Sequence, residues 1–145
     1  MSDKVKIKIC GLKSLDDIKA VNEAGADFAG FIFYSKSRRY IDPGTASLLK
    51  NALSSYINSV GVFVDEKVGE ILRIAESGII DLIQLHGNED DLCIEEIKKK
   101  SGLPVIKAFR VATAEDIKIA EKSPADYILL DNGAGGTGES FDWTL

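Results

Sequence analysis

Six short apolar runs, separated by polar turns and by segments with helical spacing, constrain most strongly how this chain folds. They are Val5-Lys6-Ile7-Lys8-Ile9, Phe28-Ala29-Gly30-Phe31-Ile32-Phe33, Val60-Gly61-Val62-Phe63-Val64, Leu82-Ile83-Gln84-Leu85, Val105-Ile106-Lys107-Ala108-Phe109 and Tyr127-Ile128-Leu129-Leu130-Asp131. Their starts recur about every 23 residues, with a longer second unit, and self-similarity of this kind marks a repeat architecture. A run such as Phe28–Phe33 is apolar throughout, as a strand buried on both faces must be. The intervening segments carry helix punctuation. Ser14 with Asp17 resembles a capping box ahead of Leu15, Ile18, Val21 and Asn22 at helical spacing, and Gly25 suits a left-handed end. Asp42-Pro43 is a cap followed by proline at the first helical position. The helix carrying Leu92, Ile94 and Ile97 ends near Gly102, and another begins after Thr113. Strands alternating with helices give a parallel sheet with crossover helices.

Two architectures satisfy that pattern, an open doubly wound sheet and a (βα)8 barrel. Cys10, the Tyr34–Tyr40 loop, Asp65, His86, Arg110 and Asp131 follow successive strands, which suits the ring of loops at the carboxyl end of a barrel. Strands that simply end in polar turns account for several of them equally. No glycine-rich phosphate loop follows the first strand, against a dinucleotide-binding open sheet. The expectation is an α/β chain of parallel (βα)8 TIM-barrel type with about six βα units, forming one domain over residues 1–145.

Composition narrows the function classes. A net charge of −5 argues against a general nucleic-acid surface. No run of 18 apolar residues and no secretory leader is evident, so no membrane association and a cytoplasmic location are expected. Two distant cysteines, Cys10 and Cys93, suggest no disulfide framework, and a single histidine all but excludes a cysteine–histidine zinc cluster. No metal and no cofactor are expected.

With period two along the first run, Ile7 and Ile9 share one face while Lys6, Lys8 and Cys10 share the other. A thiol therefore stands at the carboxyl end of the first strand, where parallel α/β proteins bind ligands. The alternative is that Cys10 is a small buried hydrophobe.

Lys8-Ile9-Cys10-Gly11, Gly30-Phe31-Ile32-Phe33 before Ser37-Arg38-Arg39-Tyr40, Val60-Gly61-Val62-Phe63-Val64, Gln84-Leu85-His86-Gly87, and Leu130-Asp131 with Gly135-Gly136-Thr137-Gly138 and Phe141-Asp142-Trp143 occur in order. Together they resemble the phosphoribosylanthranilate isomerase family, (βα)8-barrel enzymes of tryptophan biosynthesis. The resemblance implies an Amadori rearrangement of an aminoaldose phosphate carrying anthranilate to an aminoketose phosphate. It places the catalytic base at Cys10 and the acid at Asp131. A thiolate is a competent base where positive charge favours it, and Lys8 falls on the same strand face. A carboxyl in an apolar mouth keeps its proton more readily. Arg39 matches the arginine expected to face the anthranilate carboxylate, a task suited to a bidentate fork. Many members have proline where Arg38 stands, so Arg38 could share the role. His86 could line the aromatic site or be a hydrogen-bonded structural histidine. Gly136 and Gly138 could belong to a lid whose amides approach the ligand, or to a flexible loop. Arg110, Asp65 and Cys93 read as structural.

The chain reaches Phe141-Asp142-Trp143-Thr144-Leu145 where a sixth helix is expected to begin, so strands seven and eight of the implied barrel are not in it. The loops after those strands commonly build the phosphate site. Three functional readings follow. The first is an isomerase with greatly reduced turnover. The second is a folded, catalytically incompetent three-quarter barrel serving as a scaffold, with self-association through open barrel edges. The third is a generic sugar-phosphate-binding protein, which would not require both Cys10 and Asp131.

Overall fold

Four of the five described helices begin where a side-chain oxygen meets the first free N–H groups of a turn; the one that follows Lys67 has no such cap. The computed structural model describes residues 4–133, 140 and 142–145. In chain order its elements are β1 (Lys8–Cys10), α1 (Leu15–Ala24), β2 (Phe28–Ile32), α2 (Pro43–Ala52), β3 (Asn58–Phe63), α3 (Val68–Glu76), β4 (Leu82–Leu85), α4 (Asp91–Ser101), β5 (Val105–Arg110), α5 (Ala114–Glu121) and β6 (Tyr127–Asp131). Ser14 and Thr113 close reciprocal capping boxes with Asp17 and Asp116. Asp42 caps α2 ahead of Pro43, and Asp90 caps α4. Gly25 and Gly102 end α1 and α4 in the left-handed conformation, as their sequence positions predict.

The six strands are all parallel and lie in sequential order from β1 to β6. A doubly wound sheet reverses its strand order and carries helices on both faces. Here the helices pack on one face. Ile18, Val21, Ala46, Leu49, Ile71, Ile74, Ile94 and Ile97 from α1 to α4 share a buried cluster with Ala29, Phe31, Phe63, Ile83, Leu85 and Val105 from the strands. The other face holds a separate cluster of Val60, Leu82 and Ile106, flanked by Phe28 and Leu129, with no helical residue in it. That inner, helix-free face makes the fold an incomplete (βα) barrel of six strands.

Two sequence expectations change. The first strand was expected from Val5, but ladder pairing begins at Lys8, opposite Phe28. The N–H of Ile7 is taken by the carboxylate of Asp27 instead, and Val5 and Ile7 are exposed at the sheet edge. Leu15 and Leu92 were expected on the packed helical stripes but are 63% and 75% exposed. They are the first residue of α1 and the second of α4, so burial starts three residues later at Ile18 and two residues later at Ile94.

An aspartate directly precedes each even-numbered strand and clamps the strand before it at two points. The N–H groups of Asp27, Asp81 and Asp126 donate to the carbonyls of Ile7, Ser59 and Val105. Their carboxylates accept from the N–H groups of the same three residues, at 2.8 Å each. Lys50 from the last turn of α2 pairs with Asp81, and Lys98 from the last turn of α4 pairs with Asp126. Burial opposes charge on Asp81 and Asp126, but the lysine and backbone donors outweigh it and hold both carboxyls below the ordinary aspartate range. A depressed folded value adds stability above the unfolded value and loses it as pH falls through the folded one. Unfolding free energy is therefore expected to be level near neutrality and to decline below about pH 4. In urea titrations across that range, Asp81→Asn and Asp126→Asn should lower stability at neutral pH and flatten the acid decline.

Candidate functional site

The carboxyl ends of β1, β4 and β6 and the loop after β2 converge on a cleft of about 310 Å³. Lys8, Cys10, Arg39, Gln84, His86 and Asp131 supply its polar lining, over an apolar floor of Ile32, Val62 and Leu129. Five of the residues singled out from sequence thus meet in one place, although β1 and β6 are the two edges of the described sheet.

Cys10 ends β1 on the inner face, opposite Gly30 of β2. A Cβ at position 30 would stand 2.6 Å from the Cys10 sulfur and 3.0 Å from its Cα, so the glycine leaves the space the thiol occupies. Gly11 turns the chain away at a φ of 88°, and the N–H groups of Gly11 and Leu12 both donate to the Gly30 carbonyl. A Cβ at Gly11 would meet the Arg39 side chain at 2.6 Å. Arg39 can therefore lie across this turn, where its Nη1 donates to the Cys10 carbonyl at 3.1 Å. The loop that carries Arg39 is closed by Ile41 N–H donating to the Ile32 carbonyl and by Ser37 Oγ accepting from the Arg39 N–H. Arg38 does not line the cleft; its carbonyl accepts from Lys13 Nζ.

Asp131 ends β6, its carbonyl held by the Val111 N–H. Its Oδ2 lies 3.1 Å from His86 Nε2, and His86 Nδ1 lies 3.1 Å from Gln84 Nε2. His86 is thus a hydrogen-bonded histidine that also lines the cleft. Gly136 and Gly138 lie outside the described residues.

Three further residues escaped sequence reasoning. Gln84 stands in the cleft, and Lys107 and Glu89 form an ion pair behind it with side chains only 6% and 3% exposed. Glu89 also accepts from the Gly87 and Asp65 N–H groups, while Lys107 Nζ donates to the Gly87 carbonyl. Asp65, at a φ of 49°, accepts from the Asn88 N–H. The pair therefore ties the loops after β3 and β4 to β5, directly beside His86. The usable signal was a polar residue inside an apolar run: Gln84 in Leu-Ile-Gln-Leu and Lys107 in Val-Ile-Lys-Ala-Phe. Such residues are retained in a buried strand only where they find partners.

Parallel βα units with an inner apolar face and a polar cleft at the strands' carboxyl ends define a barrel of the enzyme type, whose chemistry occurs at that end. The comparisons make this particular. A family model described as N-(5'phosphoribosyl)anthranilate (PRA) isomerase matches residues 7–145, and the chain belongs to that family. It is 44% identical to the N-(5'-phosphoribosyl)anthranilate isomerase of Lachnoclostridium phytofermentans, covering 97% of this chain and 66% of the relative. It is 43% identical to that of Endomicrobium trichonymphae, covering 97% and 70%. The phosphoribosyl anthranilate isomerase structure from Thermotoga maritima superimposes with a TM-score of 0.86 at 38% identity, over 98% of this chain and 70% of that one. Another, of the isomerase in complex with reduced 1-(o-carboxyphenylamino)-1-deoxyribulose 5-phosphate, gives 0.79 at 37% identity over 88% and 65%. The chain spans about two thirds of the length of the curated relatives it matches. No helix among the described residues is long and apolar enough to cross a membrane.

Removing one partner of a buried ion pair strands the other charge. Lys107→Met is expected to lower unfolding free energy by about 3 kcal/mol in denaturant titration. Lys107→Met with Glu89→Gln should recover part of that loss.

Proposed function

We propose that this chain acts on N-(5'-phosphoribosyl)anthranilate as an aldose–ketose isomerase, with Cys10 as base, Asp131 as acid and Arg39 as anchor for the anthranilate carboxylate. The observation that carries the reading is that Cys10 and Asp131, from opposite edges of the sheet, line one cleft with Arg39 between the turn at Gly11 and the opening. Asp131 gives its proton to the ribose ring oxygen as the bond from that oxygen to the anomeric carbon breaks, leaving a Schiff base on the anthranilate nitrogen. The Cys10 thiolate then takes the proton from the adjacent sugar carbon. The electron pair released neutralises the nitrogen and gives an enolamine, which tautomerises to the aminoketose. Each group acts by proton transfer from a fixed position.

Lys8 shares the inner face with Cys10 and provides positive charge near the thiol. Arg39 spends one N–H on the Cys10 carbonyl, so the same guanidinium that meets the carboxylate is registered on the base's own backbone. The reduced carboxyphenylamino-deoxyribulose phosphate bound by a relative carries the groups this arrangement would receive, an aromatic carboxylate and an amine joined to the sugar. A cytoplasmic location belongs to the same reading, because Cys10 must remain a thiol and both cysteines are free.

Loss of phosphoribosylanthranilate fluorescence measures turnover by the 145-residue chain directly. Cys10→Ala and Asp131→Asn should each lower kcat by about a hundredfold or more. Arg39→Ala should act mainly on KM, raising it about tenfold or more. Turnover that survives Cys10→Ala, or a folded chain that binds the reduced product analogue without any turnover, would refute the catalytic assignment.

A further inference from the structure

We propose that Gln84 is a positioning residue for the acid of the cleft: its carboxamide fixes which ring nitrogen of His86 carries the proton, and thereby whether Asp131 stands as carboxylate or as acid. The inference rests on the assignment of Asp131 as the acid.

Gln84 is 2% exposed and sits on the inner face of β4, between Val62 of β3 and Ile106 of β5. A carboxamide in such a layer normally satisfies both its nitrogen and its oxygen. This one does not. Its Nε2 meets His86 Nδ1, and its Oε1 is buried without a hydrogen-bond partner, the one such side-chain atom among the described residues.

The chain of contacts runs from Gln84 Nε2 to His86 Nδ1, then from His86 Nε2 to Asp131 Oδ2. An amide nitrogen only donates, so Nδ1 accepts and the ring proton lies on Nε2, which donates to an unprotonated Asp131. Adding one proton to the His86–Asp131 pair changes this. If Asp131 is the carboxylic acid, its O–H donates to Nε2 and the ring proton moves to Nδ1. If the proton stays on the ring, Nδ1 carries one as well. Either way Nδ1 now donates and needs an acceptor, and a half-turn of the carboxamide presents Oε1. The nitrogen and oxygen ends are nearly the same size, so the turn needs no repacking. Each orientation of the amide is matched to one proton count, so the carboxamide's orientation and the ring's protonation change together. When the proton leaves Asp131 for the substrate oxygen, the carboxamide turns back, and the remaining ring proton settles on Nε2 facing the carboxylate.

His86 is the single histidine of the chain, so nitrogen NMR of protein carrying isotope-labelled histidine reports on it alone. At about pH 8, above the ordinary imidazole range, the unmodified chain should show the proton on Nε2. Gln84→Glu offers only acceptors to Nδ1, and there His86 should carry protons on both nitrogens. Gln84→Met keeps the shape without either group. It should shift the ring signals toward a mixture of tautomers and lower kcat about tenfold with KM changed less than about twofold. Gln84→Met carries the test if the buried charge of Gln84→Glu prevents folding. A ring proton on Nδ1 in the unmodified chain, or ring signals that ignore both substitutions, would overturn the proposal. Ring signals that respond as expected in a chain without turnover would support the control of His86 by Gln84 and refute the isomerase reading instead.

Discussion

Parallel strands have no hairpin to set their register, and in this chain the register is set by an aspartate at the base of every second strand. Asp81 and Asp126 each exchange two hydrogen bonds with one residue of the preceding strand, and Asp27 does so with Ile7 directly before β1. Side chains alternate between faces along a strand, so a slip of one residue would move a whole set to the wrong side. Cys10 would then face the helices and Ile9 the cleft. The separation of a helix-covered cluster from an inner cluster of Val60, Leu82 and Ile106 depends on the same register. Lys50 and Lys98 extend the clamp by tying the ends of α2 and α4 to Asp81 and Asp126, so helix, loop and strand are fixed by one charged group at the end remote from the cleft.

At the opposite end of the strands the constraint is space. Gly30 and Gly11 are required by close approach: one leaves room for the Cys10 thiol, the other for Arg39. Their absence of side chains lets the Cys10 thiol and the Arg39 guanidinium occupy adjoining volume. His86 then reaches from the end of β4 to Asp131 at the end of β6, so two strand ends are joined across the sheet's inner surface. Behind that surface, the buried Lys107–Glu89 pair holds the Gly87 loop from the helix side. The cleft is thus braced on both faces of the sheet, which holds its polar groups in fixed positions.

Local rules wrote much of this structure into the chain. Apolar runs, capping residues and turn glycines are decided by neighbours a few residues away, which is why the strands, the helix starts at Ser14, Asp42 and Thr113, and the ends at Gly25 and Gly102 were legible. The motif sequence from Lys8-Ile9-Cys10-Gly11 to Leu130-Asp131 was enough to indicate the family that the comparisons establish.

Tertiary structure decided what depends on distant partners. Burial of Ile18 rather than Leu15, and the start of β1 at Lys8 rather than Val5, follow from what packs against each residue and from the Asp27 carboxylate. Arg39 rather than Arg38 reaches the cleft because the loop folds back on Gly11. Lys107 and Gln84 look like interruptions in the sequence, because Lys107 meets Glu89 from the preceding loop and the imidazole beside Gln84 is held by Asp131 from another βα unit. The sequence by itself determined the elements and their order; only the curved, assembled sheet determined which polar groups meet, since a hydrogen bond needs a distance and a direction that a linear pattern does not contain.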